Sequence, residues 1–480
     1  MHRSEELCLS NNQTKMQKLL CRFIKPLPPG DLGRSYSREE LIEDLGFLVN
    51  TVEAVHPNPF FACEEAAFRR ETEQCKSRLI SGLSRPAFYR EVARLVAMIN
   101  DGHTIVHAPS EEYIEYRNSN GVVFPFPVDC SSGEAVVNET VVDSPDVSPG
   151  DVITSVNGVS MSEILKQMKS LFGYEREAMK LAVISKQFSL FHFILNGGVE
   201  QFRFGISDND GHRKSGCNGL ISASLPQERP RSPKGQDLPY EYSIRIDLKA
   251  AVLDFRSFVA PEKFGTLMQQ MFSEIEKHGI DRLIVDLRNN GGGDSRLSDI
   301  FFSFITDKPI RGYSRIELKV SRQIREYYRA VTRILFPFPA KHLPSRFAYP
   351  PPWKKPIGET VTETACRRKP RKRKKLYQGK LFVLTGPLTF SSATDFAAIV
   401  QDNSIGTVVG QPTGGYATCY GDSYPFVLPN SFLSCGVSHK LFVRPSGEEK
   451  PLPVIPDITI TLPSLVGEKD SMRDYVLNKL

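Results

Sequence analysis

From Ser37 onward the apolar positions fall at helical spacing. Leu41, Leu45, Leu48, Val49, Val52 and Val55 share one face behind a capping-box pair, Ser37 and Glu40. This helix must stop before Pro57. A second helix is predicted over residues 64–80. A third starts near Ser84 to Pro86, carries Phe88, Val92, Leu95, Val96 and Ile99 on one stripe, and has Gly102 as its left-handed cap. His103 follows immediately. Between about 120 and 210 the apolar residues alternate more than they cycle, and turn signals stand at Asn120-Gly121, Ser131 to Gly133 and Asn157-Gly158, which predicts short strands.

From Tyr242 strands and helices alternate. Residues 243–247, 251–255, 283–287, 381–384 and 407–409 read as strands. Residues 261–278 and about 393–402 read as helices, the first stopped by Gly279. This order predicts an α/β fold, a mostly parallel sheet covered by helices, with ligand sites beyond the carboxyl ends of its strands. The chain thus divides into a tail (1–34), an N-terminal helical domain (35–108), a β-rich domain (109–207), a linker (208–240) and an α/β domain (241–480) with an insertion at 336–378. Its 480 residues suit about three domains. Ser148 to Val159, followed by an amphipathic stretch from Met161 to Leu171, resembles the core of a PDZ module, which binds extended peptide by strand addition. An ordinary strand, turn and helix is the competing reading.

The formal charge of +6 invites a nucleic-acid reading. However, residues 367–375 alone carry eight positive charges, so the basic character belongs to one loop without interleaved aromatics and no nucleic-acid partner is expected. No run of apolar residues is long enough to span a membrane, and no export signal is evident, so a cytoplasmic location is the default expectation. Nine cysteines without CxxC or Cys/His spacing suggest neither a zinc site nor a disulfide framework, and their odd count weakly favours a reducing compartment.

Two loops leave the carboxyl ends of predicted strands. Arg288-Asn-Asn-Gly-Gly-Gly-Asp294 offers bare backbone amides. Thr385 to Asp395 sets Ser391 and Ser392 at a helix start, where unpaired N–H groups favour developing negative charge. Together they are the parts of an acyl-transfer site, a hydroxyl nucleophile beside amides that stabilise an oxyanion. Taken singly, each has a plainer reading as a turn or a helix cap. A phosphate cradle is disfavoured, because GxxxxGK[ST] is absent. A serine nucleophile needs a base, and His103 in Asn100-Asp-Gly-His-Thr104 is the best candidate, with His56 the weaker rival.

Asp101-Gly-His-Thr104, Leu283 to Asp294, Thr389 to Asp395, Gly410-Gln-Pro-Thr-Gly-Gly415 and Pro456-Asp-Ile458 together resemble the tail-specific, or C-terminal processing, serine peptidase family. The likeness spans roughly residues 38 to 462 and is closer to the branch containing the tricorn core protease. It implies a crotonase/ClpP-like spiral of βαβ units in the catalytic domain, a helical domain and a PDZ-like module before it, and peptide or protein substrates without cofactor or metal. By position it implies Ser392 as nucleophile, with Ser391 the adjacent rival, His103 as base, and the amides of Gly292 and Ala393 as oxyanion donors. It further implies that Asp286 and Arg288 hold the glycine loop. We expect Gly291, Gly293, Thr413 and Gly414 to line the substrate.

Two departures bear on mechanism. The lysine base of the processing branch has no counterpart in Thr413 to Cys419, so a Ser/Lys dyad is not expected. The serine that precedes the histidine in the tricorn branch is Gly102 here, which removes that branch's link to a distal glutamate. Glu449 is the first choice for an orienting acid, with Glu448 and the local Asp101 as alternatives.

Overall fold

The computed structural model describes residues 23, 26–28, 30–139, 147–208, 211–212, 238–335, 355–365, 367–460 and 471–479. Most of the tail, most of the linker, residues 336–354 of the insertion, and Cys8, Cys21, Cys217 and Cys366 lie outside them.

The N-terminal part comprises β1 (Ser35–Tyr36), α1 (Arg38–Val55), α2 (Glu65–Arg78), β2 (Leu83–Ser84), α3 (Arg85–Ala97), β3 (Ile105–Val106) and α4 (Ser110–Asn118). Both halves of the capping box form, Glu40 N–H to Ser37 Oγ at 3.2 Å and Ser37 N–H to the Glu40 carboxylate at 2.9 Å. The left-handed residue after α3 is Asn100 (φ 55°), not Gly102. The chain leaves the helix two residues earlier than the sequence pattern indicates, at a residue type that tolerates this conformation.

The middle part holds β4 (Val128–Asp129), β5 (Ala135–Val137), β6 (Val152–Val156), β7 (Val159–Ser160), α5 (Met161–Lys169), α6 (Glu177–Asn196) and β8 (Phe204–Ser207). The strands form one antiparallel sheet in the order β4–β5–β6–β7, with β8 also on β6. Asn157 and Gly158, both at positive φ, make the β6–β7 turn. The prediction of short strands fails over 177–196, where the chain is a 20-residue helix kinked at Gln187. This helix is apolar around much of its circumference, burying Met179, Leu181, Ile184, Phe188 and Phe191, so neither period stands out. By length and composition it is the one described helix apolar enough to cross a membrane.

The last part runs β9 (Tyr240–Arg245), β10 (Ala250–Phe255), α7 (Pro261–His278), β11 (Arg282–Asp286), α8 (Arg296–Ile305), β12 (Arg315–Lys319), α9 (Arg322–Leu335), β13 (Thr360–Thr364), β14 (Lys380–Thr385), α10 (Ser392–Asp402), β15 (Thr407–Gly410), β16 (Cys419–Val427), β17 (Ser434–Val443), β18 (Ile458–Thr459) and α11 (Ser471–Lys479). Its first sheet has the order β18–β15–β14–β11–β10–β9, parallel throughout except for β9. Phe264, Met271, Phe301 and Phe396 cover one face, and Met472 and Val476 of α11 pack on the other. The mixed α/β architecture expected from the alternation is therefore present.

A second, antiparallel sheet runs β13–β12–β17–β16. Its strand β13 falls inside the stretch 336–378. Within the basic run, Arg373 stacks on Phe304 at 3.9 Å and donates to Ser303, so this residue packs on α8. The strand β3 adds to β17, pairing Ile105 with Gly436 and Val106 with Cys435. This pairing fixes the end of α3 against the C-terminal half of the molecule.

Candidate active site

The glycine loop leaves β11 and is held at both ends. Asp286 accepts from Arg288 Nε (2.9 Å), Arg288 N–H (3.1 Å) and Arg473 (3.0 Å), as its anchoring role requires. Asn290, which the sequence reading passed over, is fully buried and does more. Its Nδ2 donates to Phe255 O at 2.7 Å, its Oδ1 accepts from Gly292 N–H at 2.8 Å, and its carbonyl accepts from Phe390 N–H at 3.0 Å. One residue thus ties β10, the glycine loop and the serine loop together, the first two through its side chain and the last through its carbonyl. The available signal was an Asn placed two residues before a glycine amide, the spacing of an Asx turn. Gly292 (φ 94°) lies against the serines so closely that a Cβ there would stand 2.7 Å from Ser391 Cβ and 2.9 Å from Ser392 N. Only glycine permits this approach.

Ser391 sits at φ 55°, ψ −129°, a conformation that costs a non-glycine residue about 1–3 kcal/mol and that marks sharp functional turns. Ser392 is the first residue of α10 and is nearly buried. Its Oγ donates to Gly293 O at 2.7 Å. The expected oxyanion donors are already engaged: Gly292 N–H bonds the Asn290 side chain, and Ala393 N–H bonds Phe390 O at 3.1 Å as the helix opens. The N–H groups of Ser392 and Gly293 donate to no group among the described residues. Gly291 and Gly293 are exposed. Thr413 and Gly414 are interior instead: Thr413 is fully buried, and Gly414 N–H donates to Thr389 O at 2.9 Å.

His103 arrives through the β3–β17 pairing, and Ser423 Oγ donates to its carbonyl at 2.6 Å. Its ring stacks on Phe390, centroids 4.5 Å apart, two residues before Ser392. Neither ring nitrogen has a hydrogen-bond partner among the described residues. The turn carrying it is built on Asp101, whose carboxylate accepts from His103 N–H (3.0 Å), Thr104 Oγ1 (2.5 Å) and Ser438 Oγ (2.6 Å), and meets His56 Nε2 at 3.3 Å. Burial alone would raise the Asp101 pKa; the His103 and His56 bonds outweigh it and hold the carboxyl well below its usual range. His56 Nδ1 accepts from Asn58 N–H, which assigns the Nε2–H tautomer and a supporting place beneath Asp101.

Besides Asp422 of β16, three carboxylates face His103, namely Asp101, Glu175 and Asp395. Burial would lower the His103 pKa, but these charges, Asp101 foremost, raise it overall. Burial pushes Asp395, which accepts from Tyr313 Oη at 2.5 Å, up to about 6, and pushes Glu175 up to about 7. Glu449 is elsewhere, exposed and paired with Arg315 at 2.7 Å. Gly102 leaves no room for the serine of the tricorn branch, because a Cβ would lie 2.7 Å from the Tyr174 ring and 2.8 Å from that of Phe390. Among the described residues no group of three His, Cys, Asp or Glu side chains is placed to hold a metal ion.

Residues 249–460, from β10 through β18, match Peptidase family S41. The chain carries a serine-peptidase domain of family S41. Its glycine loop, serine loop and every strand of the last part except β9 fall inside the match, whereas His103 and Glu175 come from outside it. No curated protein matches the chain. Among solved structures it is similar to mature CPAF, with TM-score 0.58 at 16% identity over 88% of this chain and 92% of that one. It is similar to CPAF complexed with lactacystin, with TM-score 0.59 at 16% identity over 88% and 94% of the two chains. The photosystem II D1 C-terminal processing protease matches with TM-score 0.41 at 16% identity over 88% and 93%. At this identity the CPAF likeness is one of fold.

Proposed function

We propose that this S41 domain hydrolyses peptide bonds through an acyl-enzyme on Ser392, with His103 as general base. The observation that carries the reading is the stacking of His103 on Phe390, because it brings to the serine loop, from 287 residues away in sequence, a buried imidazole whose nitrogens have no hydrogen-bond partner among the described residues. Ser392 Oγ leaves Gly293 O, passes its proton to His103 and attacks the peptide carbonyl. His103 then protonates the leaving amine, and water releases the acyl group. The N–H groups of Ser392 and Gly293 are the donors free to receive the oxyanion, each worth about 3 kcal/mol in the transition state. The sheet of residues 109–207 would present extended substrate in the manner of a PDZ-like module, behind the helical domain.

A second reading, a non-catalytic peptide- or ligand-binding module of the same fold, draws on the resting geometry, in which Ser392 Oγ is parked on a carbonyl and neither His103 nitrogen makes a hydrogen bond, Nδ1 standing 3.8 Å from Asp101 Oδ1. Labelling of the folded chain with a fluorophosphonate, followed by peptide mapping, separates the two. The hydrolase reading expects an adduct on Ser392. An adduct on Ser391 would move the nucleophile by one residue, and a folded chain that takes no label would favour the binding module.

A further inference from the structure

We propose that Glu175 is the positioning acid of this site, the carboxylate that holds His103 in the orientation in which it serves Ser392. The inference rests on the hydrolase reading above and supplies its missing third member from the middle part of the molecule.

Residues 173–176 form a strap between α5 and α6 that lies over the catalytic turn. A Cβ on Gly173 would be 3.1 Å from Asp101 O, so the strap touches the turn at backbone level. Tyr174 occupies the space beside Gly102 and meets Phe390 edge-on, with centroids 5.7 Å apart. Arg176 donates to the carbonyls of Pro412 (2.9 Å) and Thr413, which anchors the far end of the strap to the catalytic domain. Glu175 sits between these fixed neighbours and faces the Gly102 amide.

The choice among the four carboxylates follows from their remaining capacity, and Asp422 is already paired with Lys440. Asp101 already receives four donors and builds the turn itself, and its Oδ1 stands 3.8 Å from His103 Nδ1, beyond hydrogen-bond reach. Asp395 is committed to Tyr313. Glu175 Oε2 is buried with no partner among the described residues, as are both nitrogens of His103. Buried polar atoms without partners are rare in folded proteins. Finding three on two neighbouring residues of one site points to an arrangement completed when substrate enters and the His103 ring turns. One ring nitrogen then donates to Glu175 and the other receives the Ser392 proton.

The groups facing His103 are Asp101, Glu175, Asp395 and, from β16, Asp422. Those facing Glu175 are Asp101, His103, Tyr174, Lys180, Tyr416 and Cys419. Removing the Glu175 charge takes away one of the carboxylates that raise the His103 pKa, so the pH at which His103 becomes a free base must fall.

The test is the rate of Ser392 labelling by a fluorophosphonate as a function of pH, in the full chain, for wild type, Glu175→Gln and Glu175→Asp. A circular-dichroism melt confirms that each is folded. Glu175→Gln is expected to slow labelling by about 10²-fold or more at neutral pH and to move the acidic limb to lower pH, with Glu175→Asp recovering part of the rate. Wild-type rate and an unmoved limb in Glu175→Gln, with labelling still abolished in Ser392→Ala, would overturn the role of Glu175 and leave the hydrolase standing. A slowed rate with an unmoved limb would also overturn it, since that is what a purely structural strap gives. A wild type that takes no label would overturn the hydrolase reading and this inference together.

Discussion

Ser392→Ala is expected to lower kcat on any cleaved peptide by about 10⁴-fold or more while leaving the chain folded. The loss should be large because the hydroxyl is the atom that forms the acyl bond, and nothing beside it can substitute without a shift of the backbone. Ser391 is the nearest hydroxyl, but its φ of 55° puts it on the turn before the helix, not on its first residue. The structural cost should be small, since the only hydrogen bond lost is that to Gly293 O, worth about 1 kcal/mol. Steady-state kinetics and a thermal melt on the same preparation check both halves. A variant that keeps more than about a tenth of the wild-type rate would remove Ser392 from the chemistry.

Asp101→Ala should do the opposite, with stability failing first. The substitution leaves His56 Nε2, the His103 N–H, Thr104 Oγ1 and Ser438 Oγ without their acceptor in the interior. Buried donors left unpaired cost about 1–3 kcal/mol each without adding fully, so a total of about 3–5 kcal/mol and a fall in melting temperature on the order of 10 °C are expected. The sign with pH follows from the depressed pKa. Asp101 contributes stability above its unfolded value, about 3.9, and loses it as the pH falls toward the folded value. The gap between wild type and variant should therefore be widest near neutrality and narrow below about pH 4. A melt unchanged by the substitution would show that Asp101 does not organise the turn. Activity should fall with the same variant, because the turn aims His103.

Much of this arrangement was legible in the sequence where local chemistry and tertiary packing agree. Ser37 and Glu40 announced α1, Gly279 ended α7 in the left-handed conformation, and the alternation after Tyr242 gave the parallel sheet. The glycine loop and the serine loop stood out because each follows a buried strand. What escaped was decided by contacts distant in sequence. Helix α6 was missed because it is buried on several sides and shows no periodic stripe. Gly102 was read as a cap, when its requirement comes from two aromatic rings, one 72 and one 288 residues away. The acids around His103 come from four separate parts of the chain, and no spacing rule could single out Glu175 over Glu449.

The central claim is that Ser392 and His103 act as one unit, and a double-variant comparison addresses it most directly. Residual rates of Ser392→Ala, His103→Ala and the double variant on one cleaved peptide are expected to coincide, because once either member is gone the other has nothing left to do. If His103→Ala retains the wild-type rate, or if the two losses multiply in the double variant, the two residues work independently and the account of this site is wrong.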